Sequence, residues 1–305
     1  MRALARSDGK EATMGANVVK LFGLMAGLSA LLLVMGNAIG GGAGLIIALV
    51  LVAGLNIGTY WFSDKLVIKM SGARPVSREE APWFYQTVEQ QIVRAKLPMP
   101  ALYIIDSPMP NAFATGRSPE RGVVAVTSGI AQLLSRDELA GVIAHELAHI
   151  KNRDTLISAV TATIAGAISA IADMWIWGAI FGAFSGGDDD DDGGGASEML
   201  LVFLAPVAAT LIQLGISRAR EFEADALGAK IHGDPLALAS ALEKIEWAAQ
   251  RGVLQTGPST ASLYIINPFS GLGGVMKWFS THPPTAERIA KLRGLARQPE
   301  LLRVA

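Results

Sequence analysis

The chain has no cysteine and only four histidines among its 305 residues. Without cysteine there is no disulfide, no thiolate nucleophile and no sulfur-ligated zinc site, so any bound metal must be held by His, Asp or Glu. Charge is scarce as well: 17% of residues are charged, and 26 basic against 27 acidic groups leave a net charge of −1. That balance supplies no bulk attraction to nucleic acid, and none is expected as a partner. Apolar residues fill the gap. They make up 51% of the chain, with a mean hydropathy of +0.38, so part of the chain is read as dissolved in lipid.

Four apolar runs carry the excess, at residues 18–39, 42–62, 155–184 and 199–216. The first two each reach the roughly 20 residues that a helix needs to cross a bilayer core. The cluster Gly40 to Gly42 breaks the helix between them, which predicts a tight hairpin. The third run carries Asp173, read as interfacial because a charge facing lipid is costly. Pro206 would kink the fourth, which a helical bundle can tolerate. Residues 21–64 and 154–217 contain no Lys or Arg. The positive-inside rule then puts both hairpin tips outside and everything else in the cytoplasm. The expected layout is a tail at 1–16, a hairpin at 17–63, a cytoplasmic part at 64–154, a second hairpin at 155–216 and a cytoplasmic part at 217–305. An acidic external turn falls at 186–195; its five aspartates, Asp188 to Asp192, read as a solvated turn rather than a cation cage. The basic start is read as an uncleaved anchor with a loose tail, and Met14 is a candidate start.

The expected fold is mainly α with a small β-sheet. Ser77 to Glu80 and Ser135 to Glu138 are capping-box patterns, predicting helices from Glu79 to about Lys96 and from Ser135 through His149. "ALYIID" (101–106) and "GVVAVTS" (122–128) read as strands. Further helices are predicted near 235–250 and 284–297.

The chemistry lies in "GVIAHELAHIKNRD", residues 141–154. His145 and His149 are spaced i, i+4, so on a helix they share one face and can hold one ion. Glu146 is placed to reach water activated by that ion and act as general base without being a ligand. The bland alternative is an amphipathic helix with two surface histidines. A third ligand must be acidic or a histidine, and the best candidate is Glu221 in "SRAREFEADALG" (217–228). Between His149 and Glu221 the chain enters and leaves the bilayer once, so Glu221 returns to the side of His145. The alternatives are Glu223 or Asp225 as ligand, or acids that merely pair with Arg218 and Arg220. Arg220 itself reads as a hold for a cleft carboxylate or as an interfacial anchor. Zinc, one per chain, suits a tetrahedral N/O site better than cobalt or manganese. His232 matches no motif and reads as a loop histidine.

"HELAHIKNRD", "SRAREFEADA" and "STHPPTAERI" (280–289), together with "PNAFATG" (110–116), resemble the M48 family of integral-membrane zinc metalloproteases. The resemblance implies four transmembrane helices in two hairpins and a zincin-like domain on the cytoplasmic face of a bacterial inner membrane. It also implies that Asp225 orients His149 from behind, that His282 helps to stabilise the oxyanion, and that Asn111 and Ala112 meet the substrate backbone. The strand before the zinc helix, with Val124 and Ala125, is expected to be an edge strand to which an extended peptide adds. The "PNAFATG" segment is expected to be a loop beside it. Implied partners are protein substrates, many of them misfolded membrane proteins, with the bilayer around the spans and room for a homo-oligomer. Two rivals stand beside this reading. A protease of the prenyl-protein type would need more apolar runs, and a zinc-stabilised scaffold without turnover would not need Glu146.

The topology is open to direct measurement. A reporter that is active only in the periplasm, fused after Gly195, is expected to be active, and activity of a cytoplasmic reporter at that position would reverse the orientation.

Overall fold

The computed structural model describes residues 4–156, 158, 168–170, 172–173, 204, 220–251 and 283–302. The chain divides into two compact units, one of residues 1–61 and 157–213 and the other of residues 62–156 and 214–305.

Helix α1 (Leu4–Ser71), which lies in the first unit up to Trp61, is interrupted at Gly40 (φ −133°, ψ 16°) and Gly41 (φ 54°, ψ −140°). Gly41 takes a backbone conformation that only glycine adopts readily. The chain doubles back there: Gly36 and Gly44 approach so closely that a Cβ on either would strike the backbone of the other, and Gly36 also meets Ala48. The break falls where the glycine cluster predicts a turn. The stretch Ser29–Leu55, which contains this break, is the most apolar part of the helix, with a mean hydropathy of 2.3. One expectation changes. The tail is helical from Leu4 rather than loose, as its Ala, Arg, Lys and Glu content favours. Helix α1 continues to Ser71, where Gly72 at φ 66° ends it. Asp173 is helical and exposed, whereas most of the two later apolar runs and the Asp188–Asp192 turn lie outside the described residues.

The second unit is a four-stranded sheet packed with helices. Strand β1 (Arg74–Pro75) pairs antiparallel with β2 (Ala101–Ile105), β2 pairs parallel with β4 (Val123–Thr127), and β4 pairs antiparallel with β3 (Ala112–Thr115), giving the order β1-β2-β4-β3. Helix α2 (Pro82–Ala95) starts three residues later than the capping pattern suggests. Ser77 Oγ does accept from the Glu80 amide at 3.3 Å. Pro82, however, sets its own first turn and holds Ala81 out of the helical region at φ −132°, ψ 62°. Helix α3 (Ser128–Leu133) follows β4 directly. Helix α4 (Arg136–Asn152) follows α3. The described part of α5 spans residues 220–232, and α6 (Pro235–Arg251) and α7 (Thr285–Ala296) complete the unit. Phe84, Val88, Leu102, Val124, Ile143, Leu147, Leu242 and Leu292 meet in one core, each worth about 1.5–3 kcal/mol for the larger side chains.

The start of α4 is fixed by the expected capping box. Glu138 N donates to Ser135 Oγ at 3.2 Å and Ser135 N donates to Glu138 Oε2 at 2.8 Å. The same carboxylate accepts from Ser240 Oγ at 2.6 Å and Lys244 Nζ at 2.7 Å, which ties α4 to α6. Burial opposes its ionisation, but the contacts with Lys244, Ser240 and Ser135 hold its pKa at about 2, below the ordinary 4.5. A carboxyl with a depressed folded-state pKa stabilises the fold above its unfolded pKa and loses that contribution as pH falls. Glu138→Gln is therefore expected to lower stability at neutral pH and to flatten the decline of the melting temperature between about pH 4.5 and pH 2. Thermal melts across that range check it.

Candidate metal centre

Helix α4 turns one face into the core through Leu139, Val142, Ile143 and Leu147. His145, Glu146 and His149 follow on the side that meets α5, and His145 and Glu146 are buried. The two imidazole Nε2 atoms lie 3.2 Å apart, with rings edge to face at 4.7 Å between centroids. Glu221 completes the set from α5: its carboxylate oxygens stand 3.6 Å from His145 Nε2 and 3.6 Å from His149 Nε2. One donor atom from each residue lies within 4.8 Å of the other two. Zinc bonds nitrogen at about 2.0–2.1 Å, so tetrahedral donors stand roughly 3.3 Å apart. The observed spacings fit that requirement, and three protein donors leave one position open.

Residues Glu221, Asp225 and Gly228 recur along one face of α5. Gly228 lets that face close on α4, because a Cβ there would lie 2.8 Å from His145 Cα and 2.9 Å from His145 N. Nothing in the sequence reading singles out this glycine, although its i+3 offset from Asp225 is visible once the face of α5 is drawn.

The outer partners of the two histidines differ from expectation. Asp225 does not orient His149; its Oδ1 lies 3.0 Å from His145 Nδ1. On facing helices, the acid one turn after Glu221 meets the first histidine of the pair. His149 Nδ1 contacts Asp154 Oδ2 at 3.0 Å instead. Asp154 stands one residue beyond Arg153, whose left-handed backbone (φ 60°, ψ 26°) turns the chain back after α4. Arg288, at the start of α7, is fully buried. Its Nε and Nη2 donate to Asp225 Oδ2 and Oδ1 at 2.8 and 2.7 Å, and its Nη1 lies 3.2 Å from Glu221 Oε2. Burial opposes ionisation of Asp225, yet Arg288 and His145 together hold its pKa at about 2. For Arg288, burial likewise opposes the charge, but Asp225 and Glu221 outweigh it and raise the pKa. Arg288 sits inside the "STHPPTAERI" segment, where the presence of an arginine before an apolar helix face gave no separate signal. Arg220 Nη1 donates to the Asp154 carbonyl at 3.4 Å.

Burial pushes the Glu146 carboxyl above its ordinary range; the two histidines oppose the shift, Glu221 adds to it, and a hydrogen bond from the Ala114 backbone opposes it. Ala114 belongs to β3, which corrects two expectations. Ala112–Thr115 of the "PNAFATG" segment form a strand rather than a loop, and β3 rather than β4 is an edge of the sheet among the described residues, β1 being the other. Val124 and Ala125 lie in β4 between β2 and β3, fully buried, and have no free side for a peptide. Thr127 N donates to Asn111 O at 2.9 Å, and Asn111 N donates to Thr127 Oγ1 at 2.9 Å. Alternation along an antiparallel pair then turns the backbone groups of Ala112 and Ala114 away from β4. His232 is not a loop histidine: it is buried at the end of α5, with Nε2 3.2 Å from Asp137 Oδ1 in the first turn of α4. His282 lies outside the described residues.

A His-His-Glu set, buried at His145 and Glu221 and partly exposed at His149, with an adjacent glutamate on the histidine helix and an edge strand beside it, points to the metallopeptidase class. The Peptidase family M48 model matches residues 78–296, and the chain belongs to that family of peptide hydrolases. It is 51% identical over 286 residues to a protein called Protease HtpX homolog from Burkholderia mallei (strain SAVP1), covering 92% of this chain and 98% of that one. The same figures hold for the Protease HtpX homolog of Burkholderia thailandensis. Among solved structures, that of S. mikatae Ste24p matches with a TM-score of 0.51 at 18% identity, covering 93% of this chain. This chain spans less than two thirds of Ste24p, 65%, and the likeness concerns the fold. With its apolar N-terminal helix, the chain is a membrane metalloprotease.

Arg288→Ala would leave Asp225 buried without its guanidinium. The expected cost is about 3–5 kcal/mol, read as a fall of roughly 10 °C in melting temperature. Adding Asp225→Asn should recover part of the loss.

Proposed function

We propose that this protein is a zinc-dependent endopeptidase. It would cleave membrane or membrane-associated proteins, misfolded ones among them, at the cytoplasmic face of a bacterial inner membrane. The observation that carries the reading is the convergence of His145 Nε2, His149 Nε2 and the Glu221 carboxylate, with Glu146 buried beside them. A zinc ion held there supplies Lewis acidity, polarising the carbonyl under attack and acidifying water.

The chain's own groups do the rest. The substrate backbone pairs with the outward N–H and C=O groups of Ala112 and the outward C=O of Ala114 in β3, next to Asn111, in extended form and with little demand on side chains. That suits a protease acting on unfolded segments of many sequences. A Glu146 carboxylate oxygen takes a proton from water as the water oxygen bonds to the carbonyl carbon. It gives the proton to the amide nitrogen as the C–N bond breaks. Burial raises the Glu146 pKa, which brings it toward the operating pH, as a group that must both accept and donate requires. His282 steadies the negative charge on the carbonyl oxygen.

Protein purified in detergent without chelator is expected to contain zinc and to cleave casein or itself. Glu146→Ala should keep the zinc and lose cleavage by about 10²-fold or more. Glu221→Ala should lose both. Full zinc content and activity in Glu221→Ala would remove Glu221 from the ligand set. Zinc without cleavage in the parent protein would favour a scaffold.

A further inference from the structure

We infer that Asp154 is the positioning residue for His149 and that it fixes the metal centre to the turn that follows α4. The inference rests on the reading of His145, His149 and Glu221 as metal ligands.

Asp154 is 2% exposed, and a buried carboxylate is costly unless it has a partner. Its Oδ2 meets His149 Nδ1 at 3.0 Å, and among the described residues its Oδ1 has no hydrogen-bond partner. Its described side-chain hydrogen bond goes to one imidazole nitrogen, with the Arg220 charge nearby. That nitrogen is the one facing away from the ligand set, since His149 Nε2 points at His145 Nε2 and Glu221. A carboxylate accepting the Nδ1 proton fixes the tautomer that leaves Nε2 free, holds the ring plane and makes Nε2 a stronger donor.

The position of Asp154 is fixed through its backbone and its neighbours. Arg153 turns the chain with a left-handed backbone, Thr155 Oγ1 donates to the Gly116 carbonyl at 2.8 Å, and Arg220 Nη1 donates to the Asp154 carbonyl at 3.4 Å. Arg220 immediately precedes Glu221. The two ends of the segment between residues 154 and 220 are thus joined at the metal centre: one end holds His149 from behind and the other supplies the third ligand. Each histidine has its own acid, Asp225 for His145 and Asp154 for His149, on separate elements.

The test uses the full chain in detergent with zinc affinity as the readout, measured by competition with a chromophoric chelator and independent of cleavage. Asp154→Ala keeps the carbonyl that Arg220 contacts and should weaken zinc binding ~10- to 100-fold. Asp154→Asn, whose side-chain oxygen can still accept from Nδ1, should fall between Asp154→Ala and the parent. The visible spectrum of the cobalt-loaded protein should shift in Asp154→Ala. Thr155→Ala loosens the same turn without touching His149 and should leave the affinity within about twofold of the parent. The inference is overturned if Asp154→Ala binds zinc like the parent, if Asp154→Asn does no better than Asp154→Ala, or if Thr155→Ala weakens binding as much. His149→Ala is the control for the ligand reading: retained tight zinc binding there would remove His149 from the ligand set, separately from the outcome at Asp154.

Discussion

Glu221 and Asp225 lie one turn apart on the buried face of α5, and two carboxylates cannot remain ionised in such a place without positive charge beside them. Arg288 supplies part of it, gripping Asp225 through two hydrogen bonds and standing 3.2 Å from Glu221. The paired imidazoles of α4 supply a second set of contacts. A divalent cation at the meeting point would complete the balance. The packing of α4, α5 and α7 follows from this requirement, because each brings a group that the others need. Gly228 removes the side chain that would hold α5 away.

The clustering of His145, His149 and Glu221 was legible because part of the spacing is local. His145 and His149 share a helix face by arithmetic, and Glu221 was expected beside them from the even number of apolar runs in between. The capping box at Ser135 was legible for the same reason: both its bonds are made within one turn. What could not be read depends on contacts between elements distant in sequence. Which histidine Asp225 faces is decided by the relative rotation of α4 and α5. Whether a strand is an edge is decided by its neighbours, and "NAFAT" has too few β-branched residues to announce itself as β3. His232 has no motif because its partner Asp137 is nearly a hundred residues away. Arg288 has no local signal because its partners Asp225 and Glu221 lie on a different helix, far away in sequence.

The hairpin shows the same division. Its turn could be placed from Gly40 to Gly42 alone, since consecutive glycines break a helix whatever surrounds them. The contact of Gly36 with Gly44 and Ala48 could not be placed without knowing where the chain doubles back. Small residues at such a crossing let two backbones approach closely, and in lipid that close packing stands in for the hydrophobic drive that water supplies elsewhere.

The division of the metal site between α4 and α5, with Arg288 later still, also orders events during synthesis. A ribosome delivers His145, Glu146 and His149 well before Glu221, and the intervening segment must first be made and settled. Until then the nascent chain has two imidazoles and no acid to join them, and Asp225 has no guanidinium. The set of residues that could hold the ion is therefore complete only after α5 has been made, and the buried acids of α5 are balanced only after α7.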